Sequence, residues 1–405
     1  MRILRMAAEG PWLTIIGIGE DGAAGLSSAA HAALEQARIV TGAPRQLALL
    51  PPLKAELLTW PVPFDDGVAP LLARRGEPVV LLASGDPFWF GAGASITRHL
   101  DPGEWIAHPT PSSFSVAAAR LGWSLQDVVC HGLHAAPLAR LRRDLVPGGR
   151  AILLLRDGAA VGELATYLAK AGFGASTLYV MEALGGPRER IRTLRADAYA
   201  WDDVAHPVAA GIAMAGDGEV MPRASGIADS WFEHDGQITK RPVRALTLSA
   251  LAPRPGETLW DVGAGSGSIA IEWLLSHPRM QAIAFEADPV RAARARANAA
   301  RLGVDRFSVI EGRAPAILEG RKRPDAIFVG GGLSEALLQA ILGLPGERTR
   351  LVANAVTLES EALLAQWHAR LGGELLRMEM ASAAPLGTRR GWKAAYPLVQ
   401  WSVTL

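Results

Sequence analysis

One cysteine, Cys130, stands among 405 residues. A lone thiol can form no intrachain disulfide and no cysteine-rich zinc site, and its use fits a reducing compartment. Charge of one sign is also lacking: 41 Lys and Arg face 40 Asp and Glu, a formal net charge of +1. That balance excludes the basic bias of a general nucleic-acid binder. No stretch reaches the ~18 uninterrupted apolar residues that a membrane-spanning helix needs, so no span is expected. The first eleven residues carry Arg2 and Arg5 but no long apolar core, so no secretory leader is expected either. The nine histidines fall at no metal-ligand spacing, and no metal site is expected. These absences together describe a soluble cytoplasmic protein.

What is present is ample core material, with 49% hydrophobic residues. The length favours two or three domains. Apolar runs of strand length alternate with helical patterns, the signature of α/β architecture. In the first half the expected strands are 12–18, 37–40, 78–83, 151–155, 176–181 and 208–214, with helices such as 29–36 and 161–171 between them. Gly216, Asp217, Gly218, Pro222, Ser225 and Gly226 then crowd into a turn-rich segment. The expected domains are therefore 1–220 and 221–405. A fresh series of strands follows at 259–262, 282–286, 307–311, 326–329 and 350–353. The end of the chain, 374–380 with 392–403, reads as an antiparallel pair joined by a polar loop.

The most chemical stretch is Leu259-Trp260-Asp261-Val262-Gly263-Ala264-Gly265-Ser266-Gly267-Ser268. An apolar strand ends at an acid, glycines follow at alternate positions, and a helical pattern opens with Ile269, Ala270, Ile271 and Trp273. A turn of this kind offers backbone N–H groups at a helix start, where the dipole favours an anion. Glycines let a ligand approach the backbone closely. An acid about 20 residues downstream, here Glu286, suits the ribose of a nucleoside. Two details separate the candidate nucleosides. The glycines run G-x-G-x-G rather than G-x-G-x-x-G, and Asp261 immediately precedes them. An acid repels a pyrophosphate but attracts the ammonium of S-adenosylmethionine, whose carboxylate the glycine N–H groups can bind. The expected donor contacts are Asp261, Gly263, Ala264, Gly265, Ser266, Gly267 and Glu286. A plain tight turn is the blander alternative, and the joint occurrence of both acids with the glycines weighs against it. Gly312, within Glu311-Gly312-Arg313-Ala314-Pro315, closes the third strand, where an adenine would lie. Gly330-Gly331-Gly332 follow the fourth.

Three segments carry a resemblance here: Gly226-Ile227-Ala228-Asp229-Ser230-Trp231-Phe232, then Gly236-Gln237-Ile238-Thr239-Lys240-Arg241-Pro242-Val243-Arg244, then the glycine turn with Phe328-Val329-Gly330-Gly331-Gly332. Together they resemble the carbon-15 methyltransferases and decarboxylases of cobalamin biosynthesis, over residues 222–405. The resemblance implies a Rossmann-like class I methyltransferase fold, and it sets Thr239, Gly263, Gly265, Gly267, Glu286 and Ala314 against the methyl donor. Arg313 departs from the acidic or small polar residue that relatives often carry there.

The first half holds a literal G-x-G-x-x-G at Gly17, Gly19 and Gly22. Helical character starts only near Ser27, and the next strand ends in Val40-Thr41-Gly42 with no acid for a ribose, so a dinucleotide reading is weak. Gly17 and Gly19 are instead expected to let a ligand pass close to the first strand. Ser84-Gly85-Asp86-Pro87 after an apolar run, Pro109-Thr110-Pro111-Ser112-Ser113-Phe114 before a helix, and the segment from Leu178 to Ile191 resemble, in this order, the tetrapyrrole methylase family, class III methyltransferases. That resemblance implies a two-lobed α/β fold with the donor in the cleft, contacted by Gly85, Asp86, Ser112 and Ser113. Trp89 is a candidate wall for a flat ligand.

The pair of resemblances implies one molecule of S-adenosylmethionine per domain, a precorrin substrate methylated at carbons 5 and 15 with loss of the ring C acetate carboxyl, and a homo-oligomer. Lys240, Arg241, Arg244, Arg389, Arg390 and Lys393 flank the second site and suit substrate carboxylates, with Lys240 and Arg244 favoured as the catalytic-site pair. The Arg291–Arg301 series falls at helical spacing and reads as an exposed face. The alternative is a methyltransferase for RNA or another small molecule, whose N-terminal half is a non-catalytic assembly module.

Overall fold

The computed structural model describes residues 10–344 and 348–405. Two compact units form it: one comprises residues up to Ala136 with Asp144–Glu219, the other Pro137–Arg143 with Val220–Leu405. The short segment Pro137–Arg143 thus packs with the second unit although the sequence on either side belongs to the first. Arg140 anchors it by a two-pronged ion pair with Asp305, at 2.9 and 2.7 Å.

The first unit contains two five-stranded sheets. In the first, the order is Glu56–Thr59, Ile39–Gly42, Val79–Ser84, Leu13–Ile18, Trp105–His108, all parallel. Leu13–Ile18 and Val79–Ser84 are nearly continuous apolar runs, and they occupy inner positions because both of their faces are buried. In the second, the order is Val129–Gly132, Arg150–Leu155, Val208–Ala213, Thr177–Glu182, Arg190–Arg195, mostly antiparallel. Its outer strand carries Arg190, Arg192 and Arg195, and Arg190 and Arg192 pair with Glu182 and Asp203, which guards the edge with charge.

The second unit is a seven-stranded sheet, ordered Phe307–Glu311, Gln281–Glu286, Thr258–Val262, Ala326–Val329, Arg350–Ala355, Leu398–Thr404, Glu374–Met378. The first five strands are parallel and the last two antiparallel. Strand order reverses between Thr258–Val262 and Ala326–Val329. Ligands of open α/β sheets bind at the carboxyl ends of strands at such a switch point, and these two strands run directly into Gly263 and Gly330.

The expected strands of both series are present within a residue or two. The chain's end differs. Glu374–Met378 pairs with Leu398–Thr404, not with a strand starting at Trp392, and the intervening polar stretch is a hairpin of its own, Ala381–Leu386 with Arg389–Ala394. The arginines and lysine of that hairpin obscured its alternation, because neither face is buried. The fold is α/β in both units, as expected.

Candidate functional site

In the second unit the three turn glycines share a left-handed backbone, with φ of 72° at Gly263, 58° at Gly265 and 75° at Gly267. Only glycine adopts this at little cost. Their surroundings differ, and so do their roles. A Cβ on Gly263 would meet the backbone of Gly331 at 2.7 Å, so this glycine lets the Gly330-Gly331-Gly332 loop cross the turn. A Cβ on Gly267 would meet Ala295 and the Phe307 ring at 3.1 Å, so it serves helix-to-sheet packing. Gly265 faces open space, with only the Gln237 carbonyl at 3.8 Å.

The glycine N–H groups do not await an anion, contrary to expectation. Gly263 donates to the Phe285 carbonyl at 2.9 Å, Gly265 to Glu286 Oε2 at 2.7 Å and Gly267 to the Ala264 carbonyl at 2.9 Å. The turn closes on itself, and what it offers a ligand is a bare surface at Gly265. Gly265→Ala is therefore expected to weaken donor binding by the second unit while costing only about 1 kcal/mol of stability, the scale of left-handed strain. Gly263→Ala is expected to unfold the turn itself, since backbone cannot yield as a side chain can. Calorimetric titration with S-adenosylhomocysteine beside a melting curve separates the two, and equal stability losses would refute the distinction.

Two acids back the turn. Glu286 is buried, and its carboxylate accepts from Gly265 N at 2.7 Å and Asp288 N at 3.0 Å. With about four lone-pair sites on a carboxylate, each oxygen retains capacity for a ribose hydroxyl. Asp261 is fully enclosed. Its Oδ2 accepts from Ala270 N at 3.2 Å, and its Oδ1 has no protein partner. Burial first, and the nearby Glu286 charge second, push its pKa up to about 7 against the pull of the Ala270 N–H. An orphaned carboxylate oxygen at the strand end that leads into the glycine turn fits the ammonium end of S-adenosylmethionine.

The other expected contacts fall around this core. The Gly312 N–H bonds the Glu286 carbonyl at 2.9 Å, and a Cβ there would strike Ile317. Ala314 packs on the cluster containing Phe285 and Leu318. Ser266 is buried, and its carbonyl receives Asn298 Nδ2 at 3.0 Å. Ala264 contributes its carbonyl to the turn.

Thr239 and Lys240 lie on a strap, residues 226–240, whose Gln237 reaches Gly265. Its fastening was not legible beforehand. Asn298, wholly buried, clasps Glu233 through both its N–H and carbonyl as well as Ser266. Arg291 and Arg294 grip Asp235 at 2.9 and 3.0 Å, Arg291 also holds Gln237, and Arg301 bonds the Trp231 carbonyl. The helix expected to show an exposed arginine face does expose Arg296 and Arg301, and through Arg291, Arg294 and Arg301 it also anchors the strap. Arg244 departs further from expectation. It is fully buried, donating to Glu272 at 2.5 Å, Asp229 at 3.0 Å, Ile227 O at 2.5 Å and Thr239 O, with Phe232 against its plane. A guanidinium so committed has no face for a substrate carboxylate; it is a rivet of the strap. Lys240, exposed and bonded only weakly to Gly236 O at 3.3 Å, keeps its ammonium at the surface.

The first unit has a cavity of about 790 Å³ lined by both its sheets. Gly85, Asp86, Ser112 and Ser113 all line it, as do Trp89 and Phe90. Ser112 is committed as a helix cap, its Oγ accepting from Ser115 N at 3.1 Å, and Asp86 Oδ1 accepts from Phe88 N at 2.8 Å. Phe90 holds φ 57°, a strained value for a bulky residue, and lies against Phe114 with ring centroids 5.8 Å apart. Gly17 and Gly19 differ. A Cβ at Gly17 would collide with the Gly85 carbonyl, so this glycine serves the close approach of two strand ends, whereas Gly19 lines the cavity and a Cβ there would meet the Asp21 carboxylate. Sequence reading missed Glu20, Arg45, Gln46 and His206, which line the cavity from scattered positions, as does His134, a loop histidine expected to be structural or at a substrate rim. Burial lowers the pKa of both histidines, and Arg45 adds to the effect on His206.

Among the described residues no cluster of three or more metal-ligating side chains occurs, and no helix is long and apolar enough to cross a membrane.

Residues 12–199 match the family model of tetrapyrrole (corrin/porphyrin) methylases, and residues 230–405 that of the precorrin methyltransferase domain. A precorrin-6Y C(5,15)-methyltransferase [decarboxylating] from Sinorhizobium is 50% identical over 98% of this chain and 97% of its own length. A protein of the same name from Mycobacterium tuberculosis is 43% identical over 97% of this chain and 99% of its own. The crystallised C-terminal domain of precorrin-6Y C5,15-methyltransferase from Rhodobacter capsulatus is 49% identical, covers 46% of this chain and all of that one, and gives a TM-score of 0.45. With both halves matched and relatives aligned end to end, the chain belongs to the family of decarboxylating precorrin-6Y C(5,15)-methyltransferases.

Proposed function

We propose that this protein methylates a precorrin at carbons 5 and 15 and removes one carboxyl group as carbon dioxide, the first unit acting at carbon 5 and the second at carbon 15 and in decarboxylation. The observation that carries the reading is the end-to-end identity with relatives of that name, in a chain whose two units each have their own candidate donor cleft. S-Adenosylmethionine, when bound, supplies an electrophilic methyl group on a sulfonium.

In the second unit Asp261 Oδ1 would hold the donor's ammonium and Glu286 its ribose, and the bare surface at Gly265 would let it lie against the turn. The 226–240 strap fixes Thr239 at the rim and leaves the Lys240 ammonium for a substrate carboxylate. In the first unit the aromatic wall of Trp89 and Phe90 suits the face of a macrocycle. Methyl transfer to an electron-rich carbon needs in-line positioning above all, which accounts for machinery made of clamps rather than nucleophiles. Exclusion of water favours a step in which the sulfonium charge disappears.

The test is the product. Incubation with precorrin-6B and S-adenosylmethionine should give a corrinoid heavier by two methyl groups and lighter by one carbon dioxide, read by mass spectrometry. Calorimetry should find two S-adenosylhomocysteine sites per chain. One site, or one methyl added, would sink the assignment of a reaction to each unit.

A further inference from the structure

The cavity of the first unit contains a polar constellation that no part of the reading above uses. Ser84 ends the strand Val79–Ser84, is exposed and lines the cavity. Arg45 Nη2 donates to its Oγ at 2.8 Å and Gln46 Nε2 donates to the same atom at 3.0 Å. The orientation of Gln46 is fixed independently, because the Ala43 N–H donates to its Oε1 at 2.9 Å and only the amide nitrogen remains to face Ser84. A serine hydroxyl has two acceptor lone pairs and one proton. Both lone pairs are taken, so the proton must donate elsewhere, and among the described residues no acceptor takes it.

The charge around this hydroxyl selects the acceptor. Glu20 is buried and receives both Arg45 and, at 3.3 Å, Arg188. Two guanidiniums converge on this one carboxylate, and the one that also touches Ser84 is Arg45. Burial lowers the Arg45 pKa, and repulsion from Arg188 lowers it further. Asp65 and Asp86 also line the cavity, and Asp86 Oδ1 is occupied by the Phe88 N–H.

We propose that Ser84, its proton oriented by Arg45 and Gln46, binds a carboxylate of the ligand in the first unit. This inference rests on the reading of that unit as a methyltransferase. Two sources supply such a carboxylate: the methionine part of the donor, and an acetate or propionate arm of the macrocycle.

The test uses the full chain, with the second unit's donor site as an internal reference. Ser84→Ala should raise one constant about ten- to a hundredfold, the range for a hydrogen bond to a charged group. If the donor supplies the carboxylate, the dissociation constant of S-adenosylhomocysteine rises at one of the two sites, while that of 5′-methylthioadenosine, which lacks a carboxylate, is unchanged. If the macrocycle supplies it, both nucleosides bind as before and KM for the macrocycle rises in the carbon-5 step alone. Ser84→Thr, which retains the hydroxyl, should restore the wild-type value in either case. Gln46→Glu places an acceptor against Ser84, diverts its proton and should mimic the loss with the serine intact. Unchanged constants in Ser84→Ala, or equal losses for both nucleosides, overturn the inference. A wild-type chain whose first unit binds neither donor nor macrocycle overturns the proposed function and this inference with it.

Discussion

Replacing Arg244 with alanine should remove about 3–5 kcal/mol of stability from the second unit, the cost of stripping one partner from a buried ion pair. The loss arises on the other side of the pair. Glu272 is buried, and its carboxylate accepts from Gly226 N at 2.6 Å, Ile227 N at 3.1 Å and Arg244 Nε at 2.5 Å. Without the guanidinium, that negative charge stays in the core with only two amides to answer it. The carbonyls of Ile227 and Thr239 lose their donor at the same stroke. Arg244→Lys should recover little, because an ammonium cannot span four acceptors as a planar fork does. A chain of two units need not melt in one step, so hydrogen exchange in peptides from 226–240 is the sharper measurement. Faster exchange in the ligand-free variant is expected. A variant with wild-type exchange and stability but a raised KM for the macrocycle would return Arg244 to the role of a substrate ligand.

Arg244 also shows where reading a sequence stops. The glycine turn was legible because its requirement is local: three left-handed residues in five positions leave little choice but glycine, and a strand and a helix must flank them. The inner strands were legible for the same reason, their apolar runs being continuous. Two edge strands of the first unit were not: Glu56–Thr59 and Arg190–Arg195 bury no residue. An arginine's destination is not local at all. Arg244 and Glu272 are 28 residues apart, and Asn298 meets Glu233 across 65. Nothing in either neighbourhood distinguishes an arginine that faces a substrate from one that rivets a strap. The same limit explains Gly17, whose motif was visible while its cause, the Gly85 carbonyl, lay far along the chain.

The strap joins these observations to function. Its fastenings come from the helix Arg241–Leu251 through Arg244, from the helix Ser268–Ser276 through Glu272, and from the helix Pro289–Arg301 through Arg291, Arg294, Asn298 and Arg301. Asn298 bonds the strap and the glycine turn with one amide, so the two cannot shift independently. The binding surface at Gly265 and the rim at Thr239 are thereby held in register, which positioning chemistry requires.

Asp261→Asn should make the second unit more stable at pH 8 and leave it unchanged at pH 4. In the folded protein the carboxyl is buried and its pKa stands at about 7, against about 3.9 in an unfolded chain. Between these values the folded state keeps a proton that the unfolded state has released. Stability therefore falls as pH rises from about 4 to about 7, and above that the full penalty of a buried charge is present. The upper limit of that penalty is on the order of 4 kcal/mol, from 1.36 kcal/mol per pKa unit. Asparagine fits the same space, can still accept from the Ala270 N–H and never ionises, so the difference in stability between variant and wild type should open across this window. Comparing the two proteins at each pH cancels every other titration. A residue that weakens its own fold at working pH calls for a compensating partner, and a cationic ligand supplies one: the wild type should bind S-adenosylhomocysteine more weakly below pH 7, by up to tenfold per pH unit, while Asp261→Asn binds weakly throughout. A variant less stable than wild type at pH 8, or one that keeps wild-type affinity there, would show that Asp261 belongs to the helix start alone and not to the donor's ammonium.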